Sequence, residues 1–264
     1  MAQIHPSSIV DKNAKLHETV VVGPFCIIGP NVEVGANTIF YSHVVVDGHT
    51  TIGEGNKFFQ GCSVGAPPQD NSYKGEPTKT IIGNNNTFRE YVSIHRGTTK
   101  ENLVTTIGNN NLLMALTHVA HDVVMGNNCT IANSTNFAGH VRVGDRVGIG
   151  GGTQIQQFIT IGRGAYIGGG AAIDRDIPCF CTALGNRAHL KGINIIGLKR
   201  QGYSKEQVSE VVDFYRTMES SKLSPRAFVE HPEMMAEYKD NPVINEMAEQ
   251  IKKSEVGIAP FNAY

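Results

Sequence analysis

A parallel β-helix of six-residue repeats, followed by a small helical segment, is the fold this sequence predicts. Three observations carry that expectation: a hydrophobic period of six, turn-forming residues placed after the hydrophobic position, and a late switch to helical periodicity. Stepping by six from Ile4 meets Val10, Leu16, Val22, Ile28, Val34, Phe40, Val46, Ile52, Phe58 and Val64, eleven apolar residues in succession. With 40% of the chain hydrophobic, such a run has a chance probability on the order of 10⁻⁵, and internal repeats decide a fold before any other signal. The register resumes at Ile82, Phe88 and Ile94. It runs again from Ile107 through Leu113, Val119, Met125, Ile131, Phe137, Val143, Ile149, Ile155, Ile161 and Ile167 to Ile173.

Each hexad reads as a short strand plus a corner. Glycine, asparagine or aspartate follows the apolar residue in VGPFCI, IGEGNK, IGNNNT and IGRGAY, and these residues best tolerate the left-handed backbone that a tight corner needs. Three hexads make one triangular coil of 18 residues, and stacking coils buries a continuous aliphatic column. Two interruptions break the pattern. GAPPQDNSYKGEPTKT fills a gap of 18 between Val64 and Ile82, which keeps the register. A gap of 13 between Ile94 and Ile107 makes RGTTKENLV bulge outward. Insertions in a solenoid collect on one face, often the binding face.

After about Asp176 the hexads stop. SKEQ at Ser204 resembles a capping box, and Val208, Val211, Val212, Tyr215 and Met218 follow at helical spacing. Pro225 after Ser224 and Pro242 after Asn241 sit as first-turn prolines behind their caps. The expected division is a β-helix over residues 1–190 and a helical domain over 191–264.

Bulk composition excludes several classes. Lys plus Arg number 23 against 24 Asp plus Glu, which argues against a nucleic-acid partner. The five cysteines (Cys26, Cys62, Cys129, Cys179, Cys181) show neither zinc-site nor disulfide-like spacing. MAQIHPSSIVDKNAK lacks the pattern of a secretory signal, and no apolar run approaches the ~18 residues that span a bilayer. The expected setting is the reducing cytoplasm, without stable membrane insertion.

The stretch THVAHDVVMGNN (117–128) holds two histidines and an aspartate. Coil arithmetic places Gly139 above His121, with Gln157 one coil further, and His140 above Asp122. Stacked coils lie about 4.7–4.9 Å apart. An imidazole, a carboxylate, a second imidazole, a carboxamide and a glycine amide thus gather on one face. A metal site needs three convergent ligands, whereas His118 and His121 diverge along a strand. A base with an orienting carboxylate, near an amide able to hold an oxyanion, suits acyl transfer to a hydroxyl or amine.

Several stretches together resemble the UDP-N-acetylglucosamine O-acyltransferase family: SHVVVDGHT (42–50), SIHRGT (93–98), NLLMALTHVAHD (111–122), AGHV (138–141), QQF (156–158) and GINIIGLKRQGYS (192–204). The resemblance implies a left-handed β-helix and the first acylation of lipid A synthesis, in a Gram-negative-type bacterium, with no cofactor and no metal. It implies that His121 is the general base, Asp122 its orienting partner and Gly139 the oxyanion donor. His118, His140 and Gln157 would line the cleft, Asp70 would reach the sugar, and Asn194 and Arg200 the nucleotide. Gly169 would cap the acyl pocket. The donor would be a 3-hydroxyacyl chain on acyl carrier protein, and the acceptor UDP-N-acetylglucosamine or its 3-amino analogue. Lys199, Arg200 and Lys205 are basic residues placed to meet the acidic carrier, and equally an ordinary solvated helix start. The family forms homotrimers with sites between subunits.

Against the pattern the resemblance implies, Gln156 stands for a histidine, Ser72 for a lysine, Arg187 for a histidine, Ile196 for a glutamate and Gln201 for an arginine. They leave base, carboxylate and glycine intact and put the acceptor contacts in doubt, including the choice between ester and amide. Rival readings are an acetyl-coenzyme A-dependent hexapeptide acetyltransferase, which would not predict GLKR, a zinc-dependent hydratase, and a purely structural β-helix.

Overall fold

In the computed structural model, which describes residues 1–261, each hexad forms a strand of two to four residues, and the strands stack into three sheets of 11, 9 and 8 strands. We call these faces I, II and III. Pairing along the coils is parallel. Gln3 lies opposite Val21 on face I, Ile9 opposite Ile27 on face II and Lys15 opposite Glu33 on face III, so the 18-residue coil is the structural unit. The residue that recurs every six points inward: Val22, Ile28, Val34, Phe40, Val46 and Ile52 are buried. Ile4 keeps the period yet is 45% exposed, because the first coil has no rung beneath it.

On face I the column becomes aromatic. Phe40, Phe58 and Phe88 stack with ring centroids 5.1 and 4.6 Å apart and interplanar angles of 17° and 8°. At the corner between faces III and I, a buried asparagine ladder satisfies backbone groups that no strand reaches. Asn86 Nδ2 donates to Asn56 Oδ1 at 2.9 Å, and Asn111 Oδ1 accepts from the Cys129 N–H at 2.7 Å. All five cysteines are free and buried.

Both interruptions leave from the same corner, between faces II and III. Ser63 pairs with Ser93, and Ser93 with His118, so two consecutive coils carry the extra length and their loops lie side by side. Lys79 N–H donates to Leu103 O at 2.8 Å, and Gly97 N–H to Lys79 O at 3.1 Å, which sews one loop to the other.

Beyond Ile173 a segment over Cys181–Leu184 extends face I in parallel, then turns back as an antiparallel strand over His189–Ile193. Five helices follow: α1 (Ile195–Arg200), α2 (Lys205–Ser220), α3 (Pro225–Glu230), α4 (Pro232–Ala236) and α5 (Pro242–Lys253). Ser204 and Gln207 form the expected capping box, and Pro225 and Pro242 begin their helices as read. The buried stripe of α2 runs through Val208, Val211, Phe214, Tyr215 and Met218, while Val212 is half-buried. Neither the antiparallel return strand nor α1 and α4 was legible, since each is too short to show a period. Arg163 ties the helices to the coils: Nε reaches Glu246 at 3.0 Å, Nη1 reaches Gln201 Oε1 at 2.8 Å, and the guanidinium lies 4.7 Å above the Phe180 ring. No helix among the described residues is long and apolar enough to cross a membrane.

Phe58 has an aromatic neighbour on both sides, so Phe58→Ala opens a cavity that neighbouring rungs, held by their ladders, cannot collapse. The expected loss is ~3–5 kcal/mol, read from denaturant unfolding midpoints at unchanged m-value.

Candidate active site

The corner between faces II and III carries the histidines. Above the two loops, residues 120–123, 138–141 and 156–159 form successive turns of the same edge. Asp122, His140 and Phe158 each occupy the left-handed backbone region there, with φ of 60°, 64° and 65°. The third residue of each corner must adopt this geometry, so these side chains are aimed alike, one rung apart.

His121 is buried, and its Nδ1 lies 2.9 Å from Asp122 Oδ2. Asp122 is buried further: Oδ1 accepts from the Thr98 N–H at 2.9 Å and Oδ2 from the Thr98 hydroxyl at 2.6 Å, while its own N–H donates to Thr105 Oγ1 at 2.8 Å. Burial pushes the Asp122 carboxyl up, but the hydrogen bonds from His121 and Thr98 outweigh it and hold the group below its ordinary value. An ionised Asp122 makes His121 Nδ1 a donor and leaves the Nε2 lone pair as the basic site.

Gly139 sits directly over the ring, as the coil arithmetic expects. A Cβ at this position would come within 2.5 Å of His121 Cε1 and 2.8 Å of Nε2, so only glycine fits. The His140 N–H donates to His121 O at 3.1 Å and locks the two turns together. Among the described residues, the Gly139 N–H has no acceptor. His140 lies edge-on to His121 with centroids 5.1 Å apart and stacks on Phe158 at 4.6 Å. Its Nδ1 is 3.2 Å from Glu101 Oε2, and its Nε2 is 3.8 Å from Asp122 Oδ2.

On the neighbouring face, His118 Nδ1 meets Ser93 Oγ at 2.8 Å, and its ring stands edge-on to His95 at 4.7 Å. Burial, with His121 nearby, lowers the His118 pKa. His95 escaped the sequence reading. It is buried, its Nδ1 has no hydrogen-bond partner among the described residues, and burial, with His118 and His121 adding to it, pushes its pKa down to about 4.

Asp70 lies in the first loop. Its carboxylate is already engaged by Lys100 Nζ at 2.7 Å and by the Ser72 N–H and hydroxyl at 2.8 and 2.7 Å, which hold its pKa well below the usual carboxylate range. Gln157 is exposed at the next turn above Gly139. The remaining expected residues lie elsewhere in this chain. Gly169 is exposed at the corner between faces I and II. Asn194 caps α1, accepting from the Gly197 N–H at 2.9 Å and donating to Gly164 O at 2.9 Å. Together with Arg200 it borders a cleft of about 680 Å³ on face I, beside Gly148, Tyr166 and Ile196. Gln201 serves Arg163, and Arg187 lies exposed near Asp174.

Thr98, Lys100 and Glu101, which the sequence reading did not single out, all belong to the second loop. The only signal for them was the gap that forced RGTTKENLV to bulge.

Nitrogen and oxygen donors of His121, Asp122 and His140 come within 4.8 Å of one another, close enough to bind a cation. They are instead bonded among themselves, to Thr98 and to Glu101, an arrangement suited to moving a proton.

Triangular hexapeptide coils with a buried imidazole–carboxylate pair at one corner define a hexapeptide-repeat transferase of the left-handed β-helix class, and the family description "Bacterial transferase hexapeptide (six repeats)" matches residues 13–48 and 105–139. A second, "Udp N-acetylglucosamine O-acyltransferase; Domain 2", matches residues 176–259. The acyl-[acyl-carrier-protein]–UDP-N-acetylglucosamine O-acyltransferase of Saccharophagus degradans is 50% identical over 87% of this chain and 89% of its own. The enzyme of that name from Thermodesulfovibrio yellowstonii is 42% identical over 98% and 99%. The solved structure of LpxA from Acinetobacter baumannii superposes with a TM-score of 0.94 at 42% identity, covering 97% of this chain and 99% of that one. The chain belongs to the UDP-N-acetylglucosamine O-acyltransferase family.

Two outcomes follow from the site. Folded His95 stays neutral down to about pH 4, whereas the unfolded side chain protonates near 6.5. The unfolded state therefore binds more protons between those values, and stability falls as pH drops through that window. Wild type should lose up to ~3 kcal/mol more than His95→Gln between pH 7 and 4. Paired denaturant titrations at the two pH values check this. Prolonged dialysis against a chelator should leave acyl-transfer activity intact. Loss reversed by added zinc would instead assign a metal to His121, Asp122 and His140.

Proposed function

We propose that the chain transfers a 3-hydroxyacyl group from acyl carrier protein to the 3-hydroxyl of UDP-N-acetylglucosamine, the first step of lipid A synthesis. The observation that carries this reading is the buried His121–Asp122 pair beneath the amide of Gly139. His121 Nε2 takes the proton of the 3-hydroxyl as that oxygen attacks the thioester carbonyl. Asp122 supports the imidazolium that forms. The tetrahedral oxyanion is held by the Gly139 N–H. Collapse breaks the carbon–sulfur bond, and the departing thiolate of the carrier's arm takes the proton from His121, which restores the base. The ester is favoured over the amide because the relatives are named as O-acyltransferases.

In this reading His118, His140 and Gln157 line the acceptor side of the cleft, and Asp70, oriented by Lys100, approaches the sugar. Asn194, Arg200 and Gly169 lie on other edges of the same chain. They would complete the site across a subunit boundary, with the corner of one protomer facing face I of the next in a cyclic homotrimer. Residues 1–190 then carry the chemistry, and the helices of 191–264 offer Lys199, Arg200 and Lys205 to the acidic carrier. The setting implied is the cytoplasm of a Gram-negative-type bacterium.

The test is acyl transfer by purified protein and His121→Ala. Donors are 3-hydroxyacyl carrier proteins of several chain lengths, with UDP-N-acetylglucosamine and its 3-amino analogue offered as competing acceptors. Removing the base should lower kcat by about 10²–10⁴-fold, with ester the main product. A preferred amide product would move the acceptor assignment, and no turnover with any donor would overturn the reading.

A further inference from the structure

The second loop, 96–103, reaches three partners with three of its polar residues. Thr98 holds Asp122, Lys100 holds Asp70, and Glu101 holds His140. The first contact serves the base through its carboxylate. The third repeats the Asp122–His121 pair one coil higher, with a carboxylate placed on an imidazole Nδ1.

We propose that Glu101 is a positioning residue for acyl transfer, setting the tautomer and edge orientation of His140 so that its Nε2 is presented bare beside His121. This rests on the function proposed above.

His140 is 4% exposed and lies flat on Phe158, at 4.6 Å and 9°. Stacking fixes the ring plane but does not distinguish one ring nitrogen from the other. A carboxylate does, because it accepts and cannot donate. With Glu101 Oε2 at 3.2 Å, Nδ1 carries the hydrogen and Nε2 keeps its lone pair. Nε2 is 3.8 Å from Asp122 Oδ2, beyond hydrogen-bond range, so it stays available to a substrate O–H or N–H. The other Glu101 oxygen is bound by Arg142 Nη2 at 2.6 Å, which anchors the carboxylate in place. Glu101 side-chain exposure is 28%, so the pair is shielded without being sealed. His140 also borders a cavity of about 590 Å³ between this corner and α5, lined by Arg142, Phe158, Glu249 and Lys253 among others. Without Glu101 the ring could turn its hydrogen toward either side.

The experiment uses the full-length protein with labelled histidine. It reads the imidazole nitrogen resonances of His140, assigned against His140→Gln, alongside steady-state transfer from a 3-hydroxyacyl carrier protein to UDP-N-acetylglucosamine. Wild type should show hydrogen on Nδ1. Glu101→Ala should show a mixed or Nε2–H tautomer, and kcat lower by about 10–100-fold with KM changed less than about threefold. Glu101→Gln brings an amide N–H as well as an oxygen, and Arg142 competes for the oxygen, so it should show the same mixed or Nε2–H tautomer with no recovery of kcat. An unchanged tautomer in Glu101→Ala overturns the proposal, whatever happens to kcat, because the loop would then be acting only as scaffold. A changed tautomer with kcat within about twofold of wild type overturns it too. If wild type itself turns over no substrate, the functional reading fails. The nitrogen spectra then still decide whether Glu101 governs His140.

Discussion

Every feature of this molecule depends on the parallel backbone ladder that spaces one coil from the next by about 4.7–4.9 Å. That spacing is close to the reach of a hydrogen bond between side chains or of van der Waals contact between stacked rings. A residue therefore interacts with the one a coil away, 18 positions on where no insertion intervenes, as directly as a helical residue interacts with the one four away. The aromatic column Phe40–Phe58–Phe88 and the asparagine ladder through Asn56, Asn86 and Asn111 are two products of it. Gly139 over His121 is a third.

The same constraint explains why the site stands at a corner. Along a face, outward side chains of successive coils run side by side into solvent, and nothing encloses them. At a corner the chain takes a left-handed residue, as at Asp122, His140 and Phe158, and that residue's side chain turns back over the edge. Enclosure then comes from the insertions, which fall two coils in a row at this edge. Asp122 shows the electrostatic result. Burial alone would favour its neutral acid, and the hydrogen bonds from His121 and from Thr98 of the neighbouring loop reverse that preference. A carboxylate that stays ionised in a dry setting can support a cationic imidazole with little screening from water.

How much of this was legible in the sequence follows from which contacts obey the period. His121, Asp122, Gly139 and His140 are linked by steps of 17 to 19 residues within uninterrupted coils, and their neighbours could be worked out by counting. Thr98, Lys100 and Glu101 could not, because they lie in a loop whose length breaks the count, and only a folded path shows that it turns back over the corner. His95 was read only as part of a matching stretch, since the count does not show that its Nδ1 is buried without a partner. The helices divide in the same way. The 16 residues of α2 show period and cap, while the six residues of α1 show only a basic end.

The loops also change the meaning of a residue that only the resemblance named. Asp70, expected to reach the sugar, is already paired with Lys100, and Ser72 accounts for its second oxygen. A carboxylate held by three donors is a poor flexible acceptor but a well-oriented one, because its lone pairs are fixed relative to the corner. The lysine that the family pattern puts near Asp70 is Ser72 in this chain, and Lys100 on the adjacent loop supplies a cation to the same carboxylate. Because consecutive coils lie within one side-chain length of each other, a charge lost from one loop can be returned from the next. A departure at one position of a β-helix therefore has to be judged against the neighbouring coils before it is counted as a loss. By that standard Lys100 supplies at Asp70 the cation that Ser72 does not, whereas among the described residues no Asp or Glu lines the face I cleft beside Ile196, 64% exposed on α1.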